Sequence, residues 1–100
     1  MNGTDTTATT TYTTYTARVA GQRGTLHVGA GVAFFLPKGA APAAARFVPV
    51  RETFAVLDGD DLLVRLSDGG VVRARKGLEV ARALRGLGVL TYREGRVVTV

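Results

Sequence analysis

"FAVLDGDDLLVRLSDGGVVRAR" (Phe54–Arg75) carries the pattern that decides the fold. Three apolar runs, "FAVL", "LLVRL" and "VVRAR", are separated by "DGDD" and "SDGG". Asp-Gly pairs supply the backbone angles that tight hairpin turns require. Short runs rich in Val and Leu, bounded by such turns, are strands. Residues 54–75 therefore predict a three-stranded meander.

The pattern extends upstream. "FVPVRETFAVL" (Phe47–Leu57) reads as a strand whose early part Pro49 confines to an edge or a bend, because proline has no N–H for a ladder. "GAGVAFFLPKG" (Gly29–Gly39) places Val32, Phe34 and Leu36 on one face, Ala33 and Phe35 on the other. A strand apolar on both faces is buried on both sides or meets a partner. "PKGAAPAAAR" (Pro37–Arg46) is a loop, since Pro42 interrupts its alanines. Tyr15, Ala17 and Val19 alternate with Thr14, Thr16 and Arg18, which predicts a hairpin of about 15–20 with 25–29, turning at "GQRG" (Gly21–Gly24).

Downstream, "GLEVARALRGLG" (Gly77–Gly88) is the one good helix, near residues 77–86. Leu78, Ala81 and Leu84 recur at helical spacing, as do Val80, Leu84 and Leu87. Glu79 near its start and Arg82 and Arg85 near its end suit the helix dipole. "VLTYREGRVVTV" (Val89–Val100) closes as a hairpin around Glu94-Gly95, with Arg93 directly across from Arg96. The expected fold class is mainly β (α+β): a small antiparallel barrel or sandwich with one helix, over residues 15–100, behind an extended Thr-rich N-terminal arm, residues 1–14.

Composition narrows the chemistry. The chain has 100 residues, no Cys and one His, and carries a formal charge of +5, almost all of it Arg. Without Cys there are no disulfides, no thiolate zinc sites and no thiol nucleophile. No apolar run approaches the roughly 20 residues that cross a bilayer, and no basic stretch leads into an apolar one, so no membrane contact or signal peptide is expected. The expected location is the cytoplasm, or the interior of an assembled particle such as a virion.

Individual residues point away from catalysis. His27 alternates with Leu26 and Val28 and faces solvent, with no second imidazole or thiolate to share a metal. Asp58, Asp60 and Asp61 crowd one turn, yet lack the distal ligands of a calcium loop. Ser67, the lone serine, sits in a hairpin turn rather than a nucleophile elbow. Glu52, Glu79 and Glu94 are scattered, each near an Arg, as surface ion pairs are. No enzyme activity, cofactor or metal is expected.

Two constellations remain. Arg65, Arg73, Arg75, Lys76, Arg82 and Arg85 form a basic cluster suited to phosphates, but no aromatic lies among them to stack a base. Thr11, Tyr12, Thr13 and Tyr15 make a β-favouring stretch suited to pairing with a neighbouring sheet edge.

The segment "VRETFAVLDGDDLLVRLSDGGVVRARKG" (Val50–Gly77) resembles, in its turn pattern, the strand–turn–strand core of SH3-like and OB-like barrels. That resemblance implies a small basic module binding nucleic acid through an Arg patch, or binding protein. A Thr-rich arm ahead of a compact β domain is similar in layout to phage and virion head or tail subunits that assemble by strand exchange. The leading expectation is a non-enzymatic assembly subunit, with protein subunits as partners in a homo-oligomer or larger assembly, and nucleic-acid binding as the alternative.

Overall fold

The structure, a computed structural model, describes residues 11–100. Its elements are β1 (Thr13–Val19), β2 (Gln22–Gly29), β3 (Val32–Pro37), a 3₁₀ turn (Pro42–Ala44), β4 (Arg46–Phe47), β5 (Ala55–Asp58), β6 (Asp61–Arg65), β7 (Val71–Ala74), α1 (Gly77–Arg85), β8 (Thr91–Arg93) and β9 (Arg96–Val97). The strands form one mixed sheet in the order β4-β3-β2-β1-β7-β6-β5-β8-β9. The predicted meander is present as β5-β6-β7, antiparallel throughout. Among the described residues only β5 and β8 pair in parallel. The helix lies between β7 and β8 in the chain, and a crossover of this kind brings β8 back in the direction of β5.

The sheet curls around a core on its inner face. Ala17, Val19, Leu26, Val28, Phe35, Leu62, Val64, Val72 and Ala74 alternate inward and are buried, and Val80, Ala81 and Leu84 of α1 join this core from above β5 and β6. Leu78, expected on the same helix stripe, is 52% exposed. It sits in the first turn, on the side away from the sheet. Curvature brings β4 back to the end of β6, where the Ser67 N–H donates to the Phe47 carbonyl at 2.8 Å. Arg46 clamps the same join, donating through Nε and Nη2 to the Asp68 carboxylate at 2.6 and 3.0 Å.

Three hairpins turn on two residues with positive φ: Ala20-Gly21, Ala30-Gly31 and Glu94-Gly95. This is the turn whose twist matches the flanking strands. The first turn is thus tighter than the "GQRG" turn expected at 21–24. Arg23 and Gly24 belong to β2, and Gly24 pairs with Ala17. Gly24 also lets the Phe35 ring lie against the backbone, since a Cβ there would come within 2.7 Å of that ring.

Two boundaries differ from the sequence expectation. The strand predicted over 47–57 is two strands, β4 and β5, at the first and seventh places in the sheet. Pro49 starts a turn instead, its carbonyl accepting from the Glu52 N–H at 2.8 Å. The arm boundary drawn at residue 14 falls inside β1, because Thr13 and Thr14 are already paired with Val28 and His27. Residues 1–10 of the arm lie outside the described residues.

Alanine in the left-handed region costs about 1 kcal/mol, and asparagine tolerates it better. Ala20→Asn and Ala30→Asn should therefore each stabilise the fold by up to about 1 kcal/mol in denaturant titrations. Arg46, with the Gly70 N–H, holds the Asp68 carboxyl down to about 2. Its folded value is depressed, so its stabilisation is complete above the ordinary carboxylate range and is lost as pH falls toward 2. Arg46→Gln should flatten the decline of Tm between roughly pH 4 and 2, compared with the parent chain.

Candidate functional site

The inner face is filled by apolar side chains, so the groups that can meet a partner stand on the outer face. Residues directly opposite across strands point to the same face. One such line, Arg23–Arg18–Arg73–Leu63–Val56–Tyr92–Val97, crosses β2, β1, β7, β6, β5, β8 and β9. Its first part is cationic and the remainder apolar.

The cationic part is unbalanced. Arg73 donates to Asp58 at 2.8 Å and to Asp61 at 2.9 Å. These two hydrogen bonds raise the Arg73 guanidinium above its ordinary value. Arg18 and Arg23, directly opposite each other, form no ion pair among the described residues. Arg75 follows on the same face, its N–H bonded to the Thr16 carbonyl at 3.0 Å. Arg18, Arg23, Arg73 and Arg75 line one hollow of about 350 Å³ with Thr16 and Asp61.

The apolar part is open. Phe54 and Tyr92 meet edge to face at 5.1 Å. Phe54 is 55% and Val71 46% exposed, and with Val56 and Leu63 they border a second hollow of about 380 Å³.

A third group covers the outer face of the first hairpins. His27 and Phe34 are opposite one another and stack at 4.8 Å, with planes 6° apart. Tyr12 meets Phe34 edge to face at 5.3 Å, and Phe47 leans on it at 5.5 Å. The His27 ring also hydrogen-bonds the Thr25 hydroxyl at 2.8 Å. This row gives β3 cover on its second face. Its rings lie against one another, with Phe47 still 49% exposed at the end of the row.

The structure separates the basic residues singled out in the sequence. Arg73 and Arg75 share the cationic hollow. Arg65, opposite Val71, borders the apolar hollow instead. Lys76 precedes α1 in a left-handed conformation and lines, with Arg75 and Arg18, an adjoining hollow that Asp60, Asp61 and Glu79 also border. Arg82 and Arg85 project from the exposed side of α1, with the core and the sheet between them and Arg73, and Arg85 donates to the Val100 carbonyl at 2.8 Å. The residues the sequence reading missed are Arg18 and Arg23. Only a turn at Ala20-Gly21 sets them opposite each other, whereas the looser turn expected at 21–24 placed Arg23 in the loop.

The arm residues are similarly relocated. Thr13 and Tyr15 pair with Val28 and Leu26 of the same chain, Tyr12 lies on Phe34, and the Thr11 backbone passes close over Gly29. The stretch expected to suit a neighbouring sheet edge leads into β1, which joins its own β2 and, through Ala17–Val19, its own β7.

No family model matches the chain, and no curated protein or solved structure matches it either. Among the described residues no helix is long and apolar enough to cross a membrane.

Asp61→Asn takes one carboxylate from Arg73 and leaves three neighbouring guanidiniums less balanced. The variant should be destabilised at low salt, and the difference should narrow at high salt as the cations are screened. Denaturant midpoints at both salt levels measure this.

Proposed function

We propose that this chain is a non-enzymatic assembly subunit that meets its neighbours through the outer face of the sheet. The observation that carries the reading is the open apolar half of that face. Phe54 and Val71 are about half exposed, next to Val56, Leu63 and Tyr92. Contiguous exposed apolar side chains on a small domain mark interaction sites. The most concrete version is a head or tail component of a phage- or virion-type particle, homo-oligomeric, with residues 1–10 as an additional contact. That version draws its support from the Thr-rich segment ahead of a small β domain. Truncation as a test stops at residue 10, since Thr13 and Thr14 belong to β1.

Nucleic-acid binding is the second reading, and the opposed guanidiniums of Arg18, Arg23 and Arg73 favour it. Contact through these guanidiniums would be to phosphates, and affinity would fall steeply with salt.

Phe54→Ser combined with Val71→Ser should lower the native mass of the protein, read by sedimentation, while leaving its far-ultraviolet circular dichroism unchanged. Removal of residues 1–10 should lower it too. A parent chain that sediments as a monomer at every concentration tested would sink the assembly reading.

A further inference from the structure

We infer that Arg18, Arg23 and Arg75, with the Thr16 hydroxyl, form a discrete site for a phosphate group. Three observations on the outer face converge on it. Arg18 stands directly opposite Arg23 on one side and Arg73 on the other, an arrangement that is unfavourable unless an anion lies among the cations. Only Arg73 has its anions, Asp58 and Asp61, and these hold it in place as a wall of the hollow. Arg18, Arg23 and Arg75 are exposed, line the same hollow and form no ion pair among the described residues.

The geometry selects the ligand's chemistry. Guanidinium groups present planar forks of donors that match the oxygens of carboxylate and phosphate. A carboxylate brings two oxygens and one charge, too few for three separate guanidiniums. A free phosphate or phosphomonoester brings three or four oxygens and up to two charges, whereas a single backbone phosphodiester, with two non-bridging oxygens and one charge, offers no more than a carboxylate. Thr16 lies one residue pair along β1 from Arg18 on the same face, and its hydroxyl supplies a neutral donor at the rim. The carboxylates of Asp58 and Asp61 repel an anion from the β5–β6 side and so confine it to the β1–β2 side.

The inference narrows the nucleic-acid reading to named residues, and it is independent of the assembly reading. A free phosphate or phosphomonoester fits the site as one group, a nucleic-acid backbone only by setting successive diesters against different guanidiniums, and the test separates the two. Inorganic phosphate and pyrophosphate are titrated into the full chain against sodium chloride of equal ionic strength, with Tm as the readout. Both anions should raise Tm beyond chloride. Arg18→Gln and Arg23→Gln should each weaken the apparent affinity roughly tenfold or more, whereas Arg82→Gln, on the far side of the molecule, should leave it unchanged.

In phosphate-free buffer Arg18→Gln should melt no lower than the parent, because it removes a like-charge contact. That measurement separates lost binding from lost folding. An oligothymidylate that competes with pyrophosphate identifies a nucleic-acid backbone as the source. Pyrophosphate binding without oligothymidylate binding keeps the site and ends the nucleic-acid reading. The inference is overturned if the parent responds to neither anion beyond chloride, or if the Arg18 and Arg23 variants respond as the parent does. It is also overturned if polyglutamate matches pyrophosphate.

Discussion

The structure hangs on the antiparallel seam between β1 and β7, where Ala17, Arg18 and Val19 face Ala74, Arg73 and Val72. Among the described residues this is the strand pairing that joins β1–β4 to the meander β5–β7, and the Phe47–Ser67 and Arg46–Asp68 contacts close the far side. Its inward side chains, Ala17, Val19, Val72 and Ala74, are small or β-branched and fully or nearly buried. Two Ala and two Val let the sheet curve tightly there, and Phe35 and Leu26 fill the space beneath. The seam is non-local, since its partners lie more than fifty positions apart in the chain, so closing it costs more chain entropy than closing a local hairpin.

The same seam explains the unusual outer face. Side chains alternate strictly, so burying Ala17 and Val19 against Ala74 and Val72 obliges Arg18 to stand opposite Arg73. The two-residue turn at Ala20-Gly21 likewise obliges Arg23 to stand opposite Arg18. Core packing therefore sets three guanidiniums in a line, and Asp58 and Asp61 relieve only the third. A sheet that wanted stability alone would place an acid or a threonine at one of these positions. That cross-strand repulsion, set beside a half-open apolar surface on the same face, is why the proposed contacts are assigned to the outer face.

Much of the fold was legible in the sequence because it is local. The turn residues of "DGDD" and "SDGG" announced the β5-β6-β7 meander, Glu94-Gly95 announced the last hairpin with Arg93 across from Arg96, and the helical spacing of Leu78, Ala81 and Leu84 and of Val80, Leu84 and Leu87 announced α1, though Leu78 faces out. The candidate site was much less legible. A cluster drawn from sequence proximity gathered Arg82 and Arg85 with Arg73 and Arg75, although a helix that packs on the inner face must turn its charged side away from the outer one. Arg18 and Arg23 were left out because they lie far from Arg73 in the chain. Pro49 signalled a break in a strand, but not that the two pieces would end six places apart.

The sequence by itself determined the elements: which runs are strands, where Gly-containing turns reverse them, and which stripe of the helix is apolar. Those properties follow from backbone angles and side-chain period, which act over a few residues. Tertiary structure alone decided which strands became neighbours, and with that the line of arginines, the aromatic row from Tyr12 to Phe47, and the sheet that Tyr12–Val19 would join. Neighbour choice depends on burying one shared inner face, a condition on the whole chain that no local pattern encodes.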